Sequence, residues 1–191
     1  MRIALSGAPG TGKTTLGNLL GKYTSLEYFE ETEDKIIEEI GYKNIQDLIQ
    51  HKGVPGLIDN FFLSVERKMQ EEREKDNYVT DKSMIDMGAR WFGRLWKEAT
   101  PEQHDQVRAA MNAFAGTKVY DKVIYLPLYL ARSVEDDGRR TTETELRYQR
   151  SLIIQGLNVQ YDMRAQPYEF LFSDPPEKVI SDLDLNDFRK R

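Results

Sequence analysis

Cysteine is absent from all 191 residues, which excludes disulfides, thiolate metal sites and a cysteine nucleophile. Histidine is nearly as scarce: His51 and His104 stand alone, without ligand spacing, and neither is assigned a role. No apolar run approaches the ~20 residues that span a bilayer. The opening stretch Met1-Arg2-Ile3-Ala4-Leu5-Ser6 is too short for the apolar core of a signal peptide. A cytoplasmic setting is the expectation, the host's cytoplasm if the chain is virus-encoded. An excess of positive charge is lacking too. The 27 basic and 32 acidic side chains leave a formal net charge of −5, which provides no general pull on nucleic acid. Small anionic substrates and a local basic groove stay open.

What is present suits one compact domain, expected over 1–184 with a loose tail over 185–191. Hydrophobic residues make up 39% and charged residues 31%, the balance of a globular chain. Arg2 to Ser6 reads as a buried strand and Lys13 to Lys22 as a helix, with Gly21 as its stop signal. Leu26 to Glu30 predicts a second strand. Lys35 to Ile40 and Asn44 to Gln50 predict short helices, Gly53-Val54-Pro55-Gly56 a turn, and the pattern from Leu57 to Met69 a longer helix. A third strand ends at Asp81, and helices follow over Met87 to Lys97 and Pro101 to Phe114. Val123 to Leu126 predicts a fourth strand, Glu145 to Met163 a long helix, Tyr168 to Phe172 a fifth strand and Pro176 to Leu183 a closing helix. Strands alternating with helices imply an α/β three-layer sandwich around a five-stranded parallel sheet.

Gly7-Ala8-Pro9-Gly10-Thr11-Gly12-Lys13-Thr14 is the pattern Gly-x-x-x-x-Gly-Lys-Thr, placed between a strand and a helix. Its glycines let backbone N–H groups curl around a β-phosphate, and the helix N-terminus adds partial positive charge. Lys13 is expected to reach the β/γ oxygens and the Thr14 hydroxyl to ligate Mg²⁺, with Thr15 also facing the nucleotide. ATP and Mg²⁺ are the expected cofactors. Asp81 closes the third strand at the edge where sheets present ligands, and is the expected second metal-side group. Arg90, Trp91, Phe92, Arg94 and Trp96 interleave aromatic rings with guanidinium groups. Arg90 and Trp91 are therefore candidates to hold a substrate base and phosphate, although Trp91 and Leu95, four apart, equally suit a core face.

The continuation Asp81-Lys82-Ser83 resembles the Asp-Arg-Ser motif that ends the third strand in thymidylate kinases and deoxynucleoside kinases, with lysine in place of arginine. Arg132-Ser133-Val134-Glu135-Asp136-Asp137-Gly138-Arg139-Arg140 resembles the arginine-bearing lid of nucleotide kinases, expected over 131–144. Its Asp137, Gly138 and Arg140 also match a segment of ribosylnicotinamide kinase domains. The resemblance implies that Arg132 and Arg140 act on the nucleotide phosphates and that Glu30 or Glu31 approaches the acceptor. Arg147 and Arg150, at i and i+3 behind the lid, are further candidates. Ser173-Asp174-Pro175 lies where a purine edge often sits in this family. The implied function is a kinase moving the γ-phosphate of ATP to a nucleoside or nucleoside monophosphate. Phage members of the thymidylate-kinase-like group act on 5-hydroxymethyluracil in DNA, so DNA is an alternative acceptor. A regulatory module with little catalysis is the third reading, and a homodimer is a possible assembly. GTPases are disfavoured because no Asn-Lys-x-Asp motif occurs. Ring-forming ATPases are disfavoured because the loop begins at residue 7.

Overall fold

The computed structural model describes residues 1–29, 33–117, 119–128 and 144–190. Glu30, Glu31, Arg132 and Arg140 lie outside the described residues, as does the lid expected up to residue 143.

Five parallel strands run in the order β2-β3-β1-β4-β5. They are β1 (Arg2–Ser6), β2 (Glu27–Phe29), β3 (Tyr78–Asp81), β4 (Lys122–Tyr125) and β5 (Gln166–Pro167). The helices are α1 (Lys13–Tyr23), α2 (Glu33–Glu39), α3 (Ile45–Arg73), α4 (Met84–Arg90), α5 (Pro101–Thr117), α6 (Thr144–Gln160) and α7 (Pro176–Asp182). Side chains alternate across each strand, so the two faces build separate cores. Ile3, Leu5, Val79 and Ile124 pack with Leu16 and Leu20 of α1 and with Val179 and Ile180 of α7. Ala4, Tyr78, Val123 and Tyr125 face the opposite layer, with Phe61, Met84, Met111 and Ile154 from α3, α4, α5 and α6. Central strands covered on both sides are apolar without interruption, which is why β1 and β4 read so plainly in the sequence.

Several boundaries differ from the sequence expectation. Gly21 does not stop α1. It lies within it, and a Cβ there would stand 2.7 Å from Cβ of Tyr28, so the small residue lets β2 approach the helix. The short helix from Asn44 and the helix from Leu57 run as one element, broken only at Gly53, whose φ of 64° and ψ of −162° are non-helical. Pro55 then falls in the first turn after the break, where it costs no hydrogen bond. The helix expected over 87–97 is the α-helix α4 followed by one π-helical turn, Trp91–Leu95. The fifth strand is Gln166–Pro167, earlier and shorter than Tyr168 to Phe172, although the Tyr168 N–H still donates to the Tyr125 carbonyl. Residues 185–190, expected as a loose tail, make contacts: Leu185 is buried, and Phe188 and Lys190 bond to the backbone of Ser25 and Tyr23. No helix among the described residues is long and apolar enough to cross a membrane.

Candidate active site

The segment between β1 and α1 forms an open loop whose glycines take conformations other residues resist. Gly7, Gly10 and Gly12 have φ of 150°, 76° and 97°. A Cβ on Gly7 would stand 2.7 Å from the Leu126 carbonyl oxygen and 2.9 Å from the Thr11 hydroxyl, so a side chain is excluded there by space as well. Lys13, at the first turn of α1, folds back over the loop. Its Nζ donates to the carbonyls of Gly7 (2.7 Å) and Ala8 (3.0 Å). The ammonium is thus stationed against the loop's own carbonyls, at the mouth of the cradle. Thr11 closes the loop from its side chain, donating to the Ala8 carbonyl at 3.0 Å. Thr15, expected beside the nucleotide, is exposed on the first turn of α1.

Thr14 and Asp81, the two residues expected at the metal, are brought together: the Thr14 hydroxyl donates to Asp81 Oδ2 at 2.6 Å. Asp81 Oδ1 is buried with no hydrogen-bond partner. An uncompensated buried carboxylate oxygen is costly unless something occupies its lone pairs. The Tyr28 hydroxyl stands 3.4 Å from Oδ2. No group of three or more His, Cys, Asp or Glu side chains capable of holding a metal occurs among the described residues. One carboxylate and one hydroxyl suit Mg²⁺, which keeps several waters and shares phosphate ligands.

Two residues of the site carried weaker sequence signals. Arg147 on α6 is 3% exposed, and its Nε donates to the Pro9 carbonyl at 3.1 Å. Its Nη2 is buried with no hydrogen-bond partner, and burial lowers the pKa of the guanidinium. The i, i+3 spacing of Arg147 and Arg150 was its only mark in the sequence. Asp86 was missed altogether. Its Oδ1 accepts from the Gly7 N–H at 2.8 Å, and its Oδ2 accepts from Ser83 N (2.9 Å) and Ser83 Oγ (2.5 Å). The signal that would have found it is Ser83-x-x-Asp86, a capping box at the start of α4.

Trp91 is not at a substrate surface. It is 0% exposed, packed against Phe61 and Phe62, and its indole N–H donates to His104 Nδ1 at 3.1 Å. Core packing at four-residue spacing with Leu95 won over ligand contact, and His104 acquires a structural role the sequence did not suggest. Arg90 is buried as well. Beside these residues, a cavity of about 180 Å³ opens between α3, α4 and α5, lined by Phe61, Phe62, Met84, Met87, Val107 and Met111, with Gln106 the single polar side chain. On the other side of the loop, Phe172 follows β5 and leaves 65% of its surface exposed, with its ring against Gly12. In the neighbouring turn, the Asp174 carboxylate accepts from Leu171 N and Lys178 Nζ, and the Lys178 bond holds its pKa below the usual range.

A family model described as an AAA domain (AAA_28) matches residues 2–167. No curated protein matches the sequence. Among solved structures, deoxyadenosine kinase from M. mycoides, with products dCMP and a flexible dCDP bound, superposes with a TM-score of 0.62 at 15% identity, covering 98% of this chain and 100% of that one. NadR in complex with NR gives a TM-score of 0.66 at 15% identity, covering 100% of this chain and 53% of that one. Shikimate kinase from Acinetobacter baumannii in complex with shikimate gives 0.53 at 18% identity, covering 96% and 91%. At these identities the likeness is one of fold: the chain has the phosphate-loop kinase fold.

Proposed function

The chain belongs to the AAA domain family, and we propose that it is an ATP- and Mg²⁺-dependent kinase that transfers the γ-phosphate to a nucleoside or nucleoside monophosphate. The observation that carries this reading is the 2.6 Å bond between Thr14 and Asp81 at the mouth of the loop, with Asp81 Oδ1 buried and unpaired beside it. Mg²⁺ would be held there by the Thr14 hydroxyl and the Asp81 carboxylate. When bound, it offsets negative charge on the phosphates.

The remaining work falls to this chain's own groups. Backbone N–H groups of the loop and the first turn of α1 orient the β-phosphate. Lys13 exchanges the carbonyls of Gly7 and Ala8 for β/γ oxygens. Arg147, anchored through Nε on Pro9, has Nη2 available for the transferred phosphoryl group, where positive charge counts most in a desolvated setting. In this reading Arg132 and Arg140 reinforce it from the lid, and Glu30 or Glu31 orients the acceptor hydroxyl and takes its proton. A nucleoside or nucleotide acceptor is favoured by the fold shared with deoxyadenosine kinase.

The test is incubation with γ-labelled ATP and Mg²⁺ against nucleosides, nucleoside monophosphates, shikimate, and normal or hydroxymethyluracil-containing DNA. Label on a nucleoside or monophosphate is the expected result. Label only on DNA or on shikimate would replace the acceptor, and nucleotide binding without any transfer would replace the kinase reading by a regulatory module.

A further inference from the structure

We propose that Asp86 is a positioning residue that holds the phosphate loop in its nucleotide-accepting shape from outside the loop. The proposal rests on the phosphate-loop reading above and extends it to a residue that touches no ligand.

The carboxylate is 5% exposed, and both its oxygens are committed to short hydrogen bonds. Oδ2 accepts from the backbone and side chain of Ser83, as the capping box of α4 requires, and Asp86 N returns a bond to Ser83 Oγ at 3.3 Å. Oδ1 is not needed for that cap. It reaches across 79 positions of sequence to the Gly7 N–H, the first amide of the loop, at 2.8 Å. A capping residue would be complete without this second bond, so the bond serves the loop and not the helix.

Its value follows from where it acts. Asp81 ends β3 and Asp86 lies in the first turn of α4, with only Lys82, at φ 70°, and Ser83 between the two elements. Asp81 holds Thr14, which ends the Gly-x-x-x-x-Gly-Lys-Thr pattern in the first turn of α1, and Asp86 holds Gly7, which begins it. The two carboxylates on either side of the β3–α4 connection therefore tether both ends of the pattern, while the Leu126 carbonyl and the Thr11 hydroxyl crowd Gly7 from other sides. A loop fixed in this way has its N–H groups aligned before nucleotide arrives, so binding does not have to supply their ordering. Without Asp86, the Gly7 amide loses its acceptor, and the first half of the cradle is held through its carbonyls alone, by Lys13 and Thr11.

The experiment compares Asp86→Ala, Asp86→Asn and Ser83→Ala with the wild-type full chain. Mg²⁺-ADP affinity is measured by titration calorimetry and unfolding stability by urea. Asp86→Asn keeps an oxygen for Gly7 and can donate its amide N–H to Ser83 Oγ. Asp86→Ala is expected to weaken Mg²⁺-ADP by about tenfold or more, the size of one lost bond to a charged acceptor. Asp86→Asn should recover binding to within about threefold of wild type, and Ser83→Ala should lower stability with a similarly small effect on affinity, because each leaves an acceptor at Gly7. Equal affinity in Asp86→Ala and wild type would overturn the proposal. So would losses of affinity that simply track losses of stability across all three variants. Should Asp86→Ala not fold, hydrogen exchange decides on the wild-type chain without nucleotide: the Gly7 amide is expected to be protected, and exchange at the rate of an open amide would overturn the tether. Failure of the wild-type chain to bind any nucleotide would overturn both this proposal and the phosphate-loop reading. Tight wild-type binding with an indifferent Asp86→Ala would remove the Asp86 proposal alone.

Discussion

Thr14 Oγ1 and Asp81 Oδ2 stand 2.6 Å apart, joining the first turn of α1 to the end of β3 across 67 positions of sequence. The bond exists because β1 and β3 are adjacent, parallel and in register, with Leu5 opposite Asp81, so that the loop leaving β1 passes over the end of β3. Asp81→Asn preserves the shape of this contact but removes the charge. Turnover should fall by ~10²-fold or more and require more Mg²⁺ for its half-maximum, read from initial rates across a Mg²⁺ titration. Lys13→Ala should abolish transfer, and near-normal turnover in that variant would contradict the phosphate assignment.

Arg147, bonded to the Pro9 carbonyl of the loop, offers a second test. Its guanidinium uses Nε on Pro9 and leaves Nη2 buried without a hydrogen-bond partner, a division that lysine cannot reproduce. Arg147→Lys is therefore expected to lower kcat by roughly 10²–10³-fold while ATP affinity changes far less. A loss confined to affinity would place Arg147 in ground-state binding. Arg140→Ala should show the same kcat-weighted loss if the lid acts on the transferred group.

Packing between α1 and β2 depends on two glycines. A Cβ on Gly17 would stand 2.1 Å from the Tyr28 ring, so Gly17→Ala must displace that ring and, with it, the hydroxyl near Asp81. A cost of about 1–3 kcal/mol is expected from urea unfolding. A smaller loss of stability in Gly17→Ala combined with Tyr28→Ala would identify the clash as its source.

Behind β3 lies a buried ion pair. Lys68 Nζ is 2.6 Å from Glu72 and 2.6 Å from the Thr80 hydroxyl, and the Tyr120 hydroxyl bonds both Glu72 oxygens at 3.0 Å. Lys68→Met strands the Glu72 charge and should cost about 3–5 kcal/mol in chemical denaturation. Adding Glu72→Leu should return part of that loss, because two buried charges are then removed together.

The same network governs behaviour in alkali. Burial and the nearby Glu72 carboxylate raise the Tyr120 pKa well above 10.0, and Tyr78 is raised by burial as well. A phenol whose folded pKa lies above its unfolded value contributes stability that is full below the unfolded value and declines as pH climbs toward the folded one. Stability should therefore fall with rising pH from about 10 upward. Tyrosinate absorbance should show these two phenols ionising only with unfolding, whereas ordinary titration of all ten tyrosines in folded protein would contradict their burial.

Local chemistry was enough for part of this protein. Gly7, Gly10 and Gly12, followed by Lys13 and Thr14, read as a phosphate loop because positive φ and close backbone approach restrict the glycine positions to one residue type. The apolar runs of β1 and β4 announce central strands because both their faces are covered. Helix starts at Pro101 and Pro176 were legible from proline's preference for a first turn, and Asp81 from its place at a strand end. Tertiary structure decided what depends on contacts far apart in sequence. Trp91 could have faced a ligand or the core, and Phe61, Phe62 and His104 draw it inward. Gly21 could have ended a helix, and Tyr28 makes it a packing site instead. Asp86 drew no reading at all from the sequence, and Arg147 was one arginine of several. Only the parallel register of β1 beside β3 puts Asp86 under Gly7, and only the packing of α6 brings Arg147 over Pro9. A spacing pattern records neighbours along the chain, whereas these contacts are set by which strands lie side by side.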